Sequence, residues 1–306
     1  MDGYHFNLES MTRFTLVYLC SFSLGFIFCF PIVTWANPTT NVIESVIVQS
    51  TPQTEILQQL EKANVIYLGE THNDEADHQA QLKIIKALYQ KNPKIAIGFE
   101  MFQRPYQTYL DQYLAGNLTE EQLIEKSEYN QRWGFPWEYY AEIIRFGQQQ
   151  QLPLLALNTP TEITRKVAQE GLKSLDESEK QYIPPFEEIK TDDVEYRQML
   201  EEVYQQYHHG GLGNSQAFEN FFLAQVLWDE TMAEKVADFI SKNPDYQVII
   251  LVGEGHIIYD YGIPSRVKRR LNSNSLSQYS ILFESSDEEP ISLSENIADF
   301  VWKHAE

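Results

Sequence analysis

The sequence predicts an α/β protein with a largely parallel sheet flanked by helices and with an inserted helical lobe. Short apolar runs without polar alternation recur along the chain, as expected for strands that are covered on both faces. Segments with apolar residues at helical spacing lie between these runs. Two long polar stretches separate successive strands by more residues than a simple crossover needs, which indicates the additional lobe.

The individual elements follow from these patterns. Strands are predicted at residues 42–48, 65–68, 95–99, 152–157, 248–252 and 280–283. Helices are predicted at residues 75–89, 139–148, 161–172, 217–240 and 264–271. The first helix is the clearest, because Leu82, Ile85 and Leu88 share one face and acidic residues occupy its first turn.

The remaining segments define the domain organisation. The α/β domain spans residues 42–284, and its helical additions cover about residues 104–150 and 174–213. Residues 285–306 form a tail, in which we expect an acidic turn at 285–290 and a short helix around 291–303. Residues 1–36 are interpreted as a signal peptide or an N-terminal anchor.

The N-terminal segment predicts an extracytoplasmic location. Residues 14–35 are mostly apolar, follow Arg13 and precede a polar Asn37-Pro38 sequence, which is typical of a secretory signal. An uncleaved anchor is the alternative, since roughly 20 apolar residues can span a bilayer. We therefore expect a secreted or periplasmic protein, tethered to the membrane in the second case.

Cysteine usage and net charge exclude several classes of function. Cys20 and Cys29 both lie in the N-terminal segment, so the rest of the chain has no disulfide, zinc-thiolate site or catalytic cysteine. The 44 acidic residues outnumber the 23 lysines and arginines and give a net charge of -21. Such a surface repels the phosphate backbone, and we expect no nucleic-acid partner.

Two related tetrapeptides carry the candidate chemistry. The sequence Gly-Glu-Thr-His at 69–72 and the sequence Gly-Glu-Gly-His at 253–256 each follow a predicted strand. A third strand ends in Glu100. Because ligands bind outside the carboxyl ends of parallel strands, His72, Glu100 and His256 are candidate ligands of a divalent metal or cofactor. Alternatively, the histidines hydrogen-bond turn carbonyls and have no ligand.

The other residues near these motifs have two open interpretations each. Glu70 can act as a general base, or it can fix the tautomer of a histidine ligand. Asp229 interrupts an apolar helical face, which places it either at the site or on a solvated surface. Tyrosine and histidine both ligate haem iron, and Tyr140 and Tyr259 are well placed among the tyrosines.

Seven segments, in order along the chain, resemble one protein family. They are LGETHN at 68–73, GFEMFQRPYQ at 98–107, WGFPWEYY at 133–140, ALNTP at 156–160, AQVLWDETMA at 224–233, VGEGH at 252–256 and GIPSR at 262–266. Residues from about 54 to 283 thus resemble the ChaN-like haem-binding uptake family, whose superfamily includes Tiki-type metalloproteases and erythromycin esterases. The chain lacks the lipidation cysteine of lipoprotein relatives, because no small residue precedes Cys20 or Cys29.

The resemblance implies an extracytoplasmic haem-binding protein linked to iron uptake, and a homodimer with paired haems. Haem carries two propionates, so a protein of charge -21 needs local cations; we expect Arg104, Arg132 or Arg266 to meet them. The candidate haem contacts are Arg104, Tyr140, Asp229, Tyr259 and Arg266.

The superfamily implies an alternative function, a hydrolase that depends on a divalent metal. His72, Glu100 and His256 would then hold Mn²⁺, Zn²⁺ or a similar ion, and Glu70 would activate a bound water. A third interpretation is a non-catalytic partner-binding protein that retains the pocket. Haem binding is our first prediction, and the sequence leaves the axial ligand open between tyrosine and histidine.

Overall fold

The computed structural model describes residues 51–207, 215–273, 276–284 and 296–304. They contain a six-stranded sheet in the order β3-β2-β4-β1-β5-β6, and every neighbouring pair is parallel. The strands are β1 Val65–Glu70, β2 Ile95–Gln103, β3 Leu154–Asn158, β4 Gln247–Gly253, β5 Gln278–Glu284 and β6 Phe300–Lys303. The predicted α/β fold with a parallel sheet is confirmed. The N-terminal segment, the strand predicted at 42–48 and the acidic turn at 285–290 lie outside the described residues.

Helices cover both faces of the sheet. They are α1 Gln53–Leu60, α2 Glu75–Lys91, α3 Gln107–Leu114, α4 Glu120–Lys126, α5 Tyr129–Arg132, α6 Glu138–Gln149, α7 Thr161–Glu170, α8 Glu177–Lys180, α9 Val194–Tyr207, α10 Ser215–Lys242 and α11 Ile263–Leu271. Local chemistry sets their ends: the Asp74 side chain caps α2, and Gly171 ends α7 with a φ of 83°. Within the described ranges, no helix combines the length and apolarity that a membrane span requires.

The alternation of side chains along each strand divides the core into two layers. Every residue of β1 is buried. Ile66 and Leu68 belong to one apolar cluster, with residues of α2 and α6, whereas Val65 and Tyr67 belong to another, with residues of α10 and α11. Burial on both faces explains why the strands read as continuous apolar runs in the sequence.

The described residues of the two polar stretches are largely helical. Residues 104–132 form a short 3₁₀ turn followed by α3, α4 and α5, and their buried residues join the apolar cluster beneath α6. The second stretch contains α8 and α9, which pack with α7 and the first half of α10 in a third apolar cluster. The aromatic residues Trp133, Trp137 and Tyr140 lie in the first of these clusters rather than on the surface.

The helix predicted around residues 291–303 is wrong where the structure describes that range. Phe300–Lys303 is strand β6, which pairs in parallel with β5 from Ile281↔Phe300 to Glu284↔Lys303. Asp299 helps to fix this register, because its carboxylate accepts the backbone N–H of Ser280 at 2.8 Å. A four-residue edge strand is too short to show a period, so its apolar residues do not distinguish a strand from a helix.

The strand order determines where the site lies. Strand β4 pairs with β1 on one side and with β2 on the other. The carboxyl ends of these three strands are therefore neighbours at one edge of the sheet, although the residues that follow them are far apart in the sequence.

Candidate functional site

Three side chains converge near the carboxyl ends of β1, β2 and β4; together we call His72, Glu100 and His256 the centre. His72 and His256 follow β1 and β4, whereas Glu100 lies within β2, which continues to Gln103 rather than ending at Glu100 as predicted. Glu100 Oε1 lies 3.5 Å from Nε2 of His256, and Oε2 accepts the backbone N–H of Gly253 at 2.8 Å. A β-carbon at Gly253 would lie only 2.8 Å from Nε2 of His72 and 3.7 Å from Glu100 Oε2. The glycine thus leaves the space in which both imidazoles and the carboxylate meet.

A buried carboxylate fixes the orientation of His72. Glu70 Oε1 lies 2.8 Å from Nδ1 of His72 and accepts the hydroxyl of Tyr140 at 2.5 Å. Its second oxygen accepts the side-chain amide of Gln81 at 2.7 Å and lies 3.6 Å from Nδ1 of His78. Because an ionised carboxylate only accepts hydrogen bonds, Nδ1 of His72 carries the proton and Nε2 is directed to the centre.

His256 is held in the same way by a different element. Its Nδ1 lies 2.6 Å from Oδ1 of Asp229, a fully buried residue of α10. The other oxygen of Asp229 accepts the hydroxyl of Tyr196 from α9. Both histidines therefore present Nε2 to the centre with a carboxylate and a tyrosine behind Nδ1, an arrangement typical of histidine ligands of metals.

Three buried carboxylates, those of Glu70, Glu100 and Asp229, lie around the two imidazoles of the centre. Burial favours the neutral acid, but hydrogen bonding from His72 and nearby imidazole charge lower the pKa of Glu70, and the charge of His256 lowers the pKa of Glu100 to about 2. Burial opposes protonation of the histidines, but Glu100 and Asp229 raise the pKa of His256 to about 10. Glu70 and Glu100 likewise raise the pKa of His72. The carboxylates therefore favour positive charge at the centre, which protons on the imidazoles can supply.

Aromatic side chains surround the centre on two sides. Trp133 packs edge-on against His72 with ring centroids 4.9 Å apart, and Phe135 lies at 5.0 Å from the same imidazole. Trp228 approaches His256 edge-on at 6.2 Å. His256 is the more accessible histidine, with 12% of its side chain exposed against 6% for His72. The centre is thus largely buried, with aromatic side chains beside both histidines.

The arginines expected to meet propionates are all engaged by protein groups. Arg104 donates to Glu234 at 2.7 Å, and Arg132 donates to both oxygens of Glu162 at 2.9 and 3.0 Å. Arg266 is buried and donates to two backbone carbonyls at the start of α11. These contacts engage all three guanidinium groups, so none of the three is free to bind a propionate.

The remaining predicted haem contacts lie behind or beside the centre. Tyr140 is fully buried, and its hydroxyl donates to Glu70, behind His72. Tyr259 has a left-handed φ of 56°, and its ring contacts that of Tyr261 at 5.4 Å. Asp229 supports His256. The role of each as a haem contact stays a prediction.

Sequence reasoning missed several of the supporting residues. Gln81 and His78 are buried polar residues one turn apart on α2, a pattern that can be read from the sequence once the helix faces are assigned. Tyr196 lies in a polar stretch that carries no such signal. Of the two roles considered for Glu70, the geometry matches the second: its oxygens already accept three hydrogen bonds behind His72.

Comparison with known proteins extends this picture. A family model described as "Haem-binding uptake, Tiki superfamily, ChaN" matches residues 56–267, a range that contains the whole centre. The protein RETICULATA-RELATED 5, chloroplastic, of Arabidopsis thaliana is 24% identical over 271 residues; the match covers 82% of this chain and 35% of that protein. The chain thus spans about a third of the length of that relative.

Two solved structures match this chain to different degrees. ChaN of Campylobacter jejuni, described with cofacial haem binding, has a TM-score of 0.64 at 17% identity, over 82% of this chain and 91% of that chain. An erythromycin esterase mutant in its open conformation has a TM-score of 0.45 at 15% identity, over 75% of this chain and 72% of that one. The first likeness shows the fold.

Proposed function

The chain belongs to the ChaN family of haem-binding uptake proteins in the Tiki superfamily, and on that premise we propose that it binds haem at the carboxyl edge of its sheet. The observation that carries the proposal is the position of the centre, which lies wholly within the matched residues 56–267. Bound haem would supply an iron to which a side chain of the centre could bind.

The residues of the centre fit an iron ligand. Nε2 of His256 is directed to the centre, 3.5 Å from Glu100 Oε1, while Asp229 holds Nδ1–H at 2.6 Å, which orients the ring and increases its basicity. The aromatic groups Phe135 and Trp228 flank the centre and offer apolar surface for a porphyrin. With the neighbouring arginines engaged in ion pairs, we infer that the propionates lie toward solvent.

Haemin titration tests this proposal. We expect a Soret band with one haem per chain, and an affinity that falls at least about tenfold in His256→Ala, since loss of an iron ligand removes more than about 1.4 kcal/mol. Lys94→Ala is the matched control, because Lys94 forms only an exposed pair with Asp245 at the opposite end of the sheet. Absence of a Soret band with the wild-type chain, or equal affinity in His256→Ala, contradicts haem binding at the centre.

One observation favours a second function, hydrolysis that depends on a divalent metal. The centre offers two imidazole Nε2 atoms and a carboxylate, each imidazole being held by a buried carboxylate. This donor set suits Zn²⁺ or Mn²⁺, and a metal of this kind supplies Lewis acidity and an activated water. His72, Glu100 and His256 would hold the ion, whereas Glu70 would orient His72.

Metal analysis separates the two functions. For the hydrolase we expect about one equivalent of Mn²⁺ or Zn²⁺ per purified chain, and hydrolysis of an activated ester that EDTA abolishes and the added ion restores. His72→Ala should lose both the ion and the rate, while Lys94→Ala keeps them. A chain that forms a Soret complex but retains no ion and hydrolyses nothing rejects this alternative.

The location and the assembly of the chain are part of the same proposal. We infer an extracytoplasmic haem-handling protein, supported by the apolar segment at 14–35 with its flanking residues. The description of Campylobacter jejuni ChaN as binding cofacial haems suggests a dimer with paired haems. Cell fractionation tests the location. Sedimentation with and without haemin tests the dimer, which should form or strengthen when haem is added.

A further inference from the structure

A chain of hydrogen bonds runs from the edge strand β6 to the loop that carries His72. The side chain of Asp77, in the first turn of α2, accepts the backbone N–H of Thr71 at 2.8 Å through Oδ2. Its other oxygen lies 2.8 Å from Nε2 of His304, the residue that follows β6. Thr71 stands directly between Glu70 and His72, so the contact fixes the peptide that links the supporting carboxylate to the imidazole.

His304 is itself held in place by the sheet. Its backbone N–H donates to the carbonyl oxygen of Glu284 at 3.2 Å, which extends the pairing of β5 and β6. Its imidazole stacks on Phe283 with an angle of 4° between the rings. The side chain is largely buried, with 13% exposed, and Asp77 has only 4% exposed. A largely buried pair with this geometry is specific and holds its partners in position more firmly than an exposed pair.

The other bonds that shape this loop are local. Asp74 N–H donates to the carbonyl of Thr71 at 2.8 Å, and Nε2 of His78 lies 3.0 Å from the carbonyl oxygen of His72. These contacts join the loop to α2, the helix that follows it directly. The contact of Asp77 with His304 is different, because it crosses 227 positions of the sequence and ties the loop to the sheet.

We propose that His304 is a positioning residue for His72, acting through the carboxylate of Asp77 and the peptide of Thr71. His304 lies beyond residues 56–267, the part of the chain that the family model matches. The strand β6 would therefore contribute to the centre although it supplies no ligand. Asp74 lies near this pair, but its carboxylate caps α2 by accepting the N–H of Ala76, which accounts for it without a bound ion.

Burial of Asp77 explains why it needs this partner. Desolvation raises the pKa of the Asp77 carboxyl, whereas the hydrogen bond from His304 lowers it. Without His304 the carboxylate would lose its cationic neighbour and rotate or take up a proton, which weakens its hold on the N–H of Thr71. The loop would then keep only its local bonds to α2.

The Nδ1–H protons of the two ligand histidines report this effect directly. In protein labelled with ¹⁵N-histidine and free of haem and metal, each buried Nδ1–H···carboxylate bond gives a downfield proton signal that exchanges slowly with water. His72→Ala and His256→Ala assign the two signals by removing one each. In His304→Ala we expect the His72 signal to broaden or shift while the His256 signal stays unchanged.

His304→Gln provides the rescue, because the glutamine amide can donate to Asp77 from nearly the same position as Nε2 of histidine. We expect it to restore the His72 signal, and Asp77→Asn to perturb that signal as His304→Ala does. The proposal is overturned if His304→Ala leaves the His72 signal unchanged, or if both histidine signals change alike. The role of His72 in holding iron or a metal rests on the proposed function. The two signals are measured without haem or metal, so this test remains valid even if the chain does not bind haem.

Discussion

His72 and His256 occupy matching tetrapeptides, yet the carboxylates behind them come from different parts of the chain. The partner of His72 is Glu70, two residues earlier at the end of β1. The partner of His256 is Asp229, which lies 27 residues away on α10. After β4 the chain enters a 3₁₀ turn at Glu254–His256, and the carboxylate behind Nδ1 of His256 comes from a distant helix. A repeated motif thus specifies where an imidazole stands, while its supporting carboxylate can come from a different part of the fold.

The largest expected difference lies in the two supporting carboxylates. Glu70→Ala leaves the buried donors of His72 and Tyr140 without this acceptor, and it leaves the Gln81 amide with only its 3.4 Å contact to the Leu68 carbonyl; we expect a loss of about 3–5 kcal/mol in unfolding free energy. Asp229→Ala affects two donors and should cost about 2–3 kcal/mol. Urea unfolding of both variants measures the difference. Equal losses would mean that the denser network around Glu70 adds no stability.

Titration of His256 should make the unfolding free energy depend on pH. Its pKa in the folded protein, about 10, lies above the ordinary value of 6.5, so its contribution is fully present below pH 6.5 and is lost as the pH rises toward 10. In the metal-free protein we expect the unfolding free energy to fall across this window by a few kcal/mol. His256→Gln should flatten the decline. If the decline persists unchanged in His256→Gln, the imidazole is not the group that titrates.

Substitutions of the two motif glycines, Gly69 and Gly253, should have different effects on stability and on haem binding. A β-carbon at Gly69 would lie 2.5 Å from Cδ1 of Ile257 in the core, and we expect Gly69→Ala to destabilise the fold by about 1–3 kcal/mol. In Gly253→Ala the new methyl meets the imidazole of His72 instead, so haemin affinity should fall about tenfold with a smaller change in stability. Urea unfolding and haemin titration of both variants measure this. The same pattern in both variants would argue against a centre beside Gly253.

The smallest difference is expected between the supporting tyrosines. Tyr196→Phe removes one of the two hydrogen bonds to Asp229, whereas Tyr140→Phe leaves Glu70 with bonds from Gln81 and His72. We expect Tyr196→Phe to lower the free energy of unfolding by about 2 kcal/mol and Tyr140→Phe to lower it by about 1 kcal/mol, both measured by urea unfolding. A larger loss in Tyr140→Phe would reverse the assignment of the more dependent carboxylate.

The sequence predicted the fold and the approach of His72, Glu100 and His256 to one another better than the residues that support them. Apolar runs identify β1 to β5 because strands buried on both faces carry little else, and the polar residues after them mark the functional edge. Tyr196 and Asp229 could not be paired, because their contact joins two helices and leaves no local pattern. The strand β6 was missed because its stability comes from pairing with β5 rather than from its own sequence.

The position of β4 between β1 and β2 has a consequence for synthesis on the ribosome. β1 pairs with β4 and β5, and β2 pairs with β3 and β4. A nascent chain that has emerged only as far as α10 therefore carries β1 without a partner and the pair of β2 and β3, each with an edge that β4 later covers. Such edges invite wrong pairing and make the growing polypeptide a client for chaperones. The last central strand closes the sheet and, in the same event, brings both imidazoles together.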